Sequence, residues 1–367
     1  MTNPLNNLST LVELAEEPSS DNRRELLRNV TDLFFHEPDV YNANEIDLFG
    51  EVMGTIASDL ESEIRQDIAL RMSSLPNPPK KLIKDLAKDE FIVAESILTD
   101  SPALDDETLV QIAEEKGQEH ILAMTKRVEV SEVVSASIVE YGNDTVVASL
   151  LKNDGAEIDR PTMEQVVDRA STSEILHKPV VTRKKLDPDL LNEMFFHVSR
   201  DLKETILERN ETIDPETLNA IIEQSHDRFE QTGSDADTQS PAEKFILEAV
   251  QQRKLSESFL VNLLRNRQLA EFLYGFAHLS ELDVKTAKLV LQDKSAETLA
   301  IACKASRFDR ATFSTFVLLT DANQQRTPDQ VNELMDLYTK VTIETAQRTM
   351  RFWRIRRSSH TPEANAA

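Results

Sequence analysis

An apolar residue followed at once by a helix-capping residue recurs along this chain at a nearly constant interval. The pairs are Leu104-Asp105, Val130-Ser131, Ile158-Asp159, Leu186-Asp187 and Ile213-Asp214, then Leu255-Ser256, Leu282-Asp283 and Phe308-Asp309. Successive pairs lie 26, 28, 28, 27, 42, 27 and 26 residues apart. A regular period of about 20–50 residues marks a repeat array, in which each unit buries its apolar face only against its neighbours. The entry chemistry is helical. Asp187-Pro188 and Asp214-Pro215 set a carboxylate cap before a proline at the first helical position, and Ser131-Glu132 and Ser256-Glu257 use serine as the cap. Apolar residues follow at helical spacing, as in Leu109, Ile112 and Ala113, and a second helix is expected in each unit, around residues 120–125, 145–151 and 201–207. The expected fold is all-α, an α-solenoid of helical pairs repeating every 26–28 residues.

Composition supports that reading. A chain of 367 residues exceeds a usual single-core domain of about 100–200 residues, a limit that an array escapes by growing in one dimension. The 7 glycines fall well below the roughly 26 that average usage of about 7% would give. Helix interiors exclude glycine and phosphate-cradling loops need it, so the scarcity favours helices over a phosphate loop. The formal net charge of −24 repels phosphate backbones and anionic lipid and steers basic partners inward. The one cysteine, Cys303, sits in an apolar stretch and reads as a buried small hydrophobe; no disulfide can form within the chain. The N-terminus lacks a signal-peptide pattern, and no apolar run approaches the roughly 20 residues that span a bilayer. A cytoplasmic protein is expected, with the inner membrane as the one surface it would visit peripherally.

The organisation reads as follows. Residues 1–70 form an N-terminal helical cap region that includes an acidic helix around 47–68, and residues 71–228 form a first array. A small, polar, acidic insert covers 229–241, and 242–327 hold the C-terminal repeats. One long helix over 328–357 has a basic end, and 358–367 form a disordered tail. Several second helices end in a polar residue: Arg127, Asn153, Arg183 and Arg209, with Arg71 as an earlier member. An arginine near a helix C-terminus satisfies free carbonyls and complements the dipole, so these are expected to be structural repeat positions.

Arg71 with Pro78-Pro79, Leu86-Ala87-Lys88-Asp89 leading into Val93-Ala94, Leu98-Thr99-Asp100-Ser101 with Leu104, Ala123 and Arg127, and Val146 with Leu150 and Asn153 form an ordered series. In order and spacing this series resembles an alphaproteobacterial family known as domain of unknown function 2336. The resemblance extends to Leu299-Ala300-Ile301 and Ala305, covering most of residues 70–320. It implies an all-helical stack similar to HEAT repeats or leucine-rich-repeat variants, and it supplies no catalytic residue. The insert and the arginine-rich tail have no counterpart in that pattern.

Candidate chemistry is sparse. Glu174…His177 and Glu223…His226 have the Glu-x-x-His spacing of carboxylate-bridged di-iron sites, which also need two glutamates on facing helices of a bundle. Glu193 and His197 share a helical face beside Phe195-Phe196, as a core edge or surface pair does. No zinc motif, nucleophile elbow or phosphate loop is present, and no catalytic residue, metal or cofactor is expected. The C-terminus differs from the rest: residues 341–367 hold five arginines against Glu344 and Glu363, a balance of +3 on a body of −27. Arg348, Arg351, Trp353, Arg354, Arg356 and Arg357 either fold back as a terminal cap or contact an anionic surface, a membrane ahead of nucleic acid.

The function expected is a non-enzymatic scaffold or adaptor in bacterial signalling or cell organisation, whose groove holds a basic peptide or helix. A regulator sensing membrane or an anionic ligand through the arginine tail is the alternative, and an unrecognised enzyme the third. Nucleic acid is disfavoured by charge, and a homodimer through terminal units is compatible with the pattern.

Overall fold

The computed structural model describes residues 20–36, 40–58, 60–212, 240–320 and 327–355. Among them the regular structure is helical, apart from one isolated parallel bridge between Val130 and Ala156. The chain divides into two compact units, Met1–Arg169 and Ala170–Ala367. The expected helix start at Asp214, the insert, Glu223…His226, Arg356, Arg357 and the final tail lie outside the described residues.

The first unit contains α1 (Ser20–His36), α2 (Ala43–Ala57), α3 (Ser62–Ser73), α4 (Lys80–Ala87), α5 (Phe91–Asp100), α6 (Asp106–Glu115), α7 (Gln118–Met124), α8 (Glu132–Tyr141), α9 (Asp144–Lys152) and α10 (Arg160–Ala170). The caps read from sequence start these helices: Asp105 accepts from Thr108 N–H, Ser131 from Val134 and Asp159 from Thr162. Leu104 and Val130, one residue earlier, are buried, while Ile158 is half-buried. Each short helix buries a narrow stripe. The stripe is Leu82, Ile83, Leu86 and Ala87 on α4, Val93, Ala94, Ile97 and Leu98 on α5, and Thr108, Leu109, Ile112 and Ala113 on α6. Burying each large aliphatic side chain contributes about 1.5–3 kcal/mol. Helices of this length are marginal alone, so packing holds them. The helices form two layers: α3 packs on α5, α5 on α7 and α7 on α9, while α2 packs on α4 and α6 on α8. Gly50 lets α2 approach the next layer member, because a Cβ there would stand 2.5 Å from Pro79 Cβ. The acidic helix expected around 47–68 is two helices, α2 and α3, with Glu61 as the N-cap of the second.

The polar residues that follow the second helices reach backward. The Arg127 guanidinium donates to the carbonyls of Leu98 and Ser101, both at 2.8 Å and 29 and 26 residues earlier. Asn153 Nδ2 donates to the carbonyls of Thr125 (2.9 Å) and Arg127 (2.7 Å), 28 and 26 residues earlier. In the second unit Arg209 donates to Val181 (2.6 Å) and Arg183 (3.1 Å), again 28 and 26 residues earlier. Each side chain therefore serves the orphan carbonyls at the end of the preceding helix of its own layer. Sequence reasoning had assigned them to carbonyls near their own helix ends. Burial holds the Arg127 and Arg209 guanidinium pKa below the usual value. Arg183 is itself buried. Arg71 behaves differently: it pairs with Asp32 at 2.8 Å and lies over the Phe35 ring, so it is not a member of this series. Replacing Arg127 by alanine strands two carbonyls of buried residues and is expected to cost about 2–3 kcal/mol in chemical denaturation. An unchanged midpoint would remove the clamp from the energetics.

The second unit contains α11 (Glu174–Thr182), α12 (Pro188–Glu193) with the short turn of helix Met194–Phe196, α13 (Arg200–Glu211), α14 (Pro241–Gln251), α15 (Glu257–Arg265), α16 (Leu269–Ser280), α17 (Val284–Gln292), α18 (Glu297–Ala305), α19 (Arg310–Thr320), α20 (Pro328–Lys340) and α21 (Ile343–Ile355). Ser256, Asp283 and Asp309 act as the expected caps, accepting from Phe259, Thr286 and Thr312 N–H. Asp187 holds the N-cap position of α12, with proline at the first turn. The turns after α14, α15, α16 and α18 place Arg253, Arg267, Glu281 and Arg307 in the left-handed region, at φ 55–60°. The next residue's N–H then closes onto the carbonyl five back, as Lys254 does to Ala249 and Phe308 to Cys303. Glycine usually fills such positions. Three of these four carry arginine instead, whose charge complements the helix C-terminus.

One expected element is divided. The long helix over 328–357 is broken at Val341, which takes an extended conformation, and Thr342 re-caps the chain by accepting from Thr345 N–H. Within the second unit α12 and α13 pack on α21. Two polar clusters tie α13 to its neighbours, one toward α17, α18 and α20 and one toward α21. Lys203 Nζ lies 3.1 Å from Asp293, 3.2 Å from Glu297 and 3.0 Å from Ser295 Oγ, while Arg200 pairs with Glu297 at 3.4 Å and with Glu333. Asn192 and Asn210 exchange side-chain hydrogen bonds at 3.0 and 2.8 Å, and Asn210 also donates to Thr349 on α21.

Candidate functional site

The acidity is not spread along the chain. The first unit carries 35 acidic and 15 basic residues, −20 of the total −24, and the second carries 30 and 26, a balance of −4. The first unit therefore attracts positive charge more strongly than the second, and the strength of that attraction falls as salt rises.

Two concavities open on the first unit. The larger, about 890 Å³, has α4 as its centre, with α2 and α6 on its flanks. Lys80, Lys81, Lys84 and Lys88 stand there against Asp47, Glu51, Asp85 and Glu107, so its charges cancel. Lys84 is already engaged: its hydrogen bond, with those from Thr108, holds the Asp105 carboxyl down at about 2.

The smaller, about 580 Å³, lies along the other layer, between α3 and α5, with Lys126 beyond the end of α7 at its rim. α3 turns Glu63, Gln66, Asp67 and Leu70 toward it, the i, i+3, i+4, i+7 face of one helix. α5 contributes Ile92, Glu95, Ser96, Thr99 and Asp100 at the same spacing, extended by one residue. Four carboxylates face one cation, and that cation, Lys126, is 3.5 Å from Glu95 with both side chains about half exposed (50% and 51%). Leu70 is 61% exposed and Ile92 50%. The Ser96 hydroxyl oxygen is buried and has no hydrogen-bond partner among the described residues. The groove thus combines an acidic rim with two uncovered apolar side chains.

Of these groove residues the sequence pattern singles out Thr99 and Asp100 alone, and those only for the family resemblance. Leu70 and Ile92 were nonetheless legible as misfits, since each is a large apolar residue outside the buried stripe of its own helix (Ile68, Ala69 and Met72 on α3; Val93, Ala94, Ile97 and Leu98 on α5).

The residues proposed for membrane or partner contact lie elsewhere. Trp353 is 1% exposed, with its ring 5.5 Å from Phe195 and 4.9 Å from Phe196. Arg348 donates to the carbonyls of Asn210 and Glu211 and pairs with Glu344. Arg354 donates to the Ser280 carbonyl and pairs with Glu281. These three residues act within the second unit, and Arg351 alone of the four described is exposed. Cys303 is buried as expected, and burial, with the nearby Glu257 charge, pushes its thiol pKa well up. His177 donates to the Ala170 carbonyl at 3.0 Å, and Glu174 faces solvent. Glu193 and His197 are half-buried. Among the described residues no three His, Cys, Asp or Glu side chains gather into a metal-holding group, and no helix is long and apolar enough to cross a membrane.

A family model matches residues 93–351, well over half of the chain. The chain belongs to the family described as "Uncharacterised protein conserved in bacteria (DUF2336)". No curated protein and no solved structure matches it. The DUF2336 match runs through both units and ends inside α21, so it takes in the insert and the start of the arginine-rich segment, which the sequence pattern had left outside. α7 and all but the first two residues of α5 lie within the DUF2336 region, and α3 precedes it.

Proposed function

We propose that this DUF2336 protein is a non-enzymatic interaction scaffold, a HEAT-like α-solenoid of helical pairs repeating every 26–28 residues, whose first unit captures a basic protein partner in the cytoplasm. The observation that carries this reading is the placement of −20 of the −24 charges in one unit. The two-layer packing and the backward hydrogen bonds at separations of 26–29 residues support the repeat geometry. The arginine-tail reading has less behind it, because Trp353, the aromatic that would anchor it at an interface, is enclosed by Phe195 and Phe196.

The test is affinity capture on the full chain from the native cell, read by mass spectrometry at low salt and again near 1 M, where the Debye length falls to about 3 Å. The captured set is expected to be enriched in basic proteins and released by salt. A set with no basic bias, or one retained at high salt, would sink the reading.

A further inference from the structure

The groove between α3 and α5 is specific enough to name the form of its occupant. We infer that it binds a basic amphipathic α-helix, one that lays apolar side chains on Leu70 and Ile92 and presents Lys or Arg to Glu63, Asp67, Glu95 and Asp100. The inference rests on the scaffold reading above and narrows it to one surface and one ligand conformation.

Three observations converge. The groove walls are two helical faces, and every lining group on them is a side chain at i, i+3, i+4, i+7 spacing. The backbone N–H and C=O groups of α3 and α5 are committed to their own helices, so an extended peptide would find no ladder to join. A helix satisfies its own backbone and needs only side-chain contacts, and its ridges fit the furrow between two neighbouring helices. Leu70 and Ile92, at 61% and 50% exposed, supply an apolar floor that the chain leaves uncovered. The four lining carboxylates against Lys126 give a local balance of −3, which selects a cationic ligand.

The larger concavity around α4 lacks this combination. Its lysines and carboxylates balance, and Lys84 and Lys88 are tied to Asp105 and Gln111 at 2.7 and 2.6 Å.

The experiment uses the full chain and a labelled synthetic peptide of leucine and lysine, with leucines at i, i+3, i+4 and i+7, titrated by fluorescence anisotropy at low salt. A second peptide has the same composition with two central residues exchanged for proline, which breaks a helix. The helical peptide is expected to bind at least about tenfold more tightly than the proline peptide, a difference of about 1.4 kcal/mol. Leu70→Asn with Ile92→Asn is expected to weaken the helical peptide by a similar factor, and Asp67→Lys with Glu95→Lys to abolish its binding. Lys126→Glu removes the one lining cation and is expected to tighten binding several-fold, a gain that damage to the fold would not produce. All of these positions are exposed or at the rim, and circular dichroism checks that each variant folds. Equal affinity for both peptides overturns the helical conformation, and an unchanged affinity in the Leu70/Ile92 variant overturns the groove. If either occurs while capture of basic proteins stays salt-sensitive, this inference falls and the broader scaffold reading stands.

Discussion

Replacing Trp353 by alanine is expected to destabilise the second unit by about 3–5 kcal/mol, the usual cost of emptying a fully buried tryptophan site. The ring is enclosed by Phe195 and Phe196 from the segment after α12, and Met350 and Phe352 on the same helix are also buried. The loss should appear as a fall in the urea midpoint of the second unit. Arg351→Ala, on the exposed side of α21, should stay within about 0.5 kcal/mol of the parent. Equal stability of the Trp353 and Arg351 variants would mean that α21 is not packed as described. Cutting the chain after Lys340 should do more than either, since it uncovers Phe195 and leaves Asn210 without Thr349. A truncation intended to test a membrane-binding tail would therefore report mainly on folding.

Lys203→Met is expected to cost a comparable amount, about 3–5 kcal/mol, because it leaves the Asp293 carboxylate without a cation and Glu297 with Arg200 alone. Lys203 and Glu297 are each only 7% exposed at the side chain, and Asp293 16%. The effect carries a pH signature. Burial pushes the Asp293 carboxyl up, but the Lys203 charge and the hydrogen bonds from Ser295 and Thr298 outweigh it and leave its pKa below the ordinary 3.8. A carboxyl depressed in the folded state stabilises the fold above its unfolded pKa, and that contribution is lost as pH falls through the folded value. The gap between parent and Lys203→Met should be widest near neutrality and close below pH 3.8. A gap independent of pH would assign the loss to packing alone.

Much of the architecture was legible because it rests on local chemistry. Asp105, Ser131, Asp159, Ser256, Asp283 and Asp309 each cap the helix that the sequence placed after them, since a cap needs only an oxygen and the amides two or three residues on. Arg127, Asn153 and Arg209 stand out in the sequence near helix ends, but their acceptors do not. They lie 26–29 residues back, and nothing local announces them. The same limit applies to the packing of the second unit. α13 meets α21 through Asn210 and Thr349 and meets the end of α17 through Lys203 and Asp293, partners 139 and 90 residues apart. Helix 328–357 read as continuous because its apolar spacing survives the interruption at Val341. The basic tail looked like a surface because charge is visible in a sequence, while the two phenylalanines that enclose Trp353 are far from it in the chain.

The backward hydrogen bonds also set an order of events during synthesis. Arg127 completes Leu98 and Ser101, and Asn153 completes Thr125 and Arg127, so in both pairs the donor is made after its acceptor. At about 5–20 residues per second, each helix end waits roughly one to six seconds for the side chain that satisfies it. A nascent first unit thus matures from its N-terminal side in steps, each segment remaining provisional until the next one has left the ribosome.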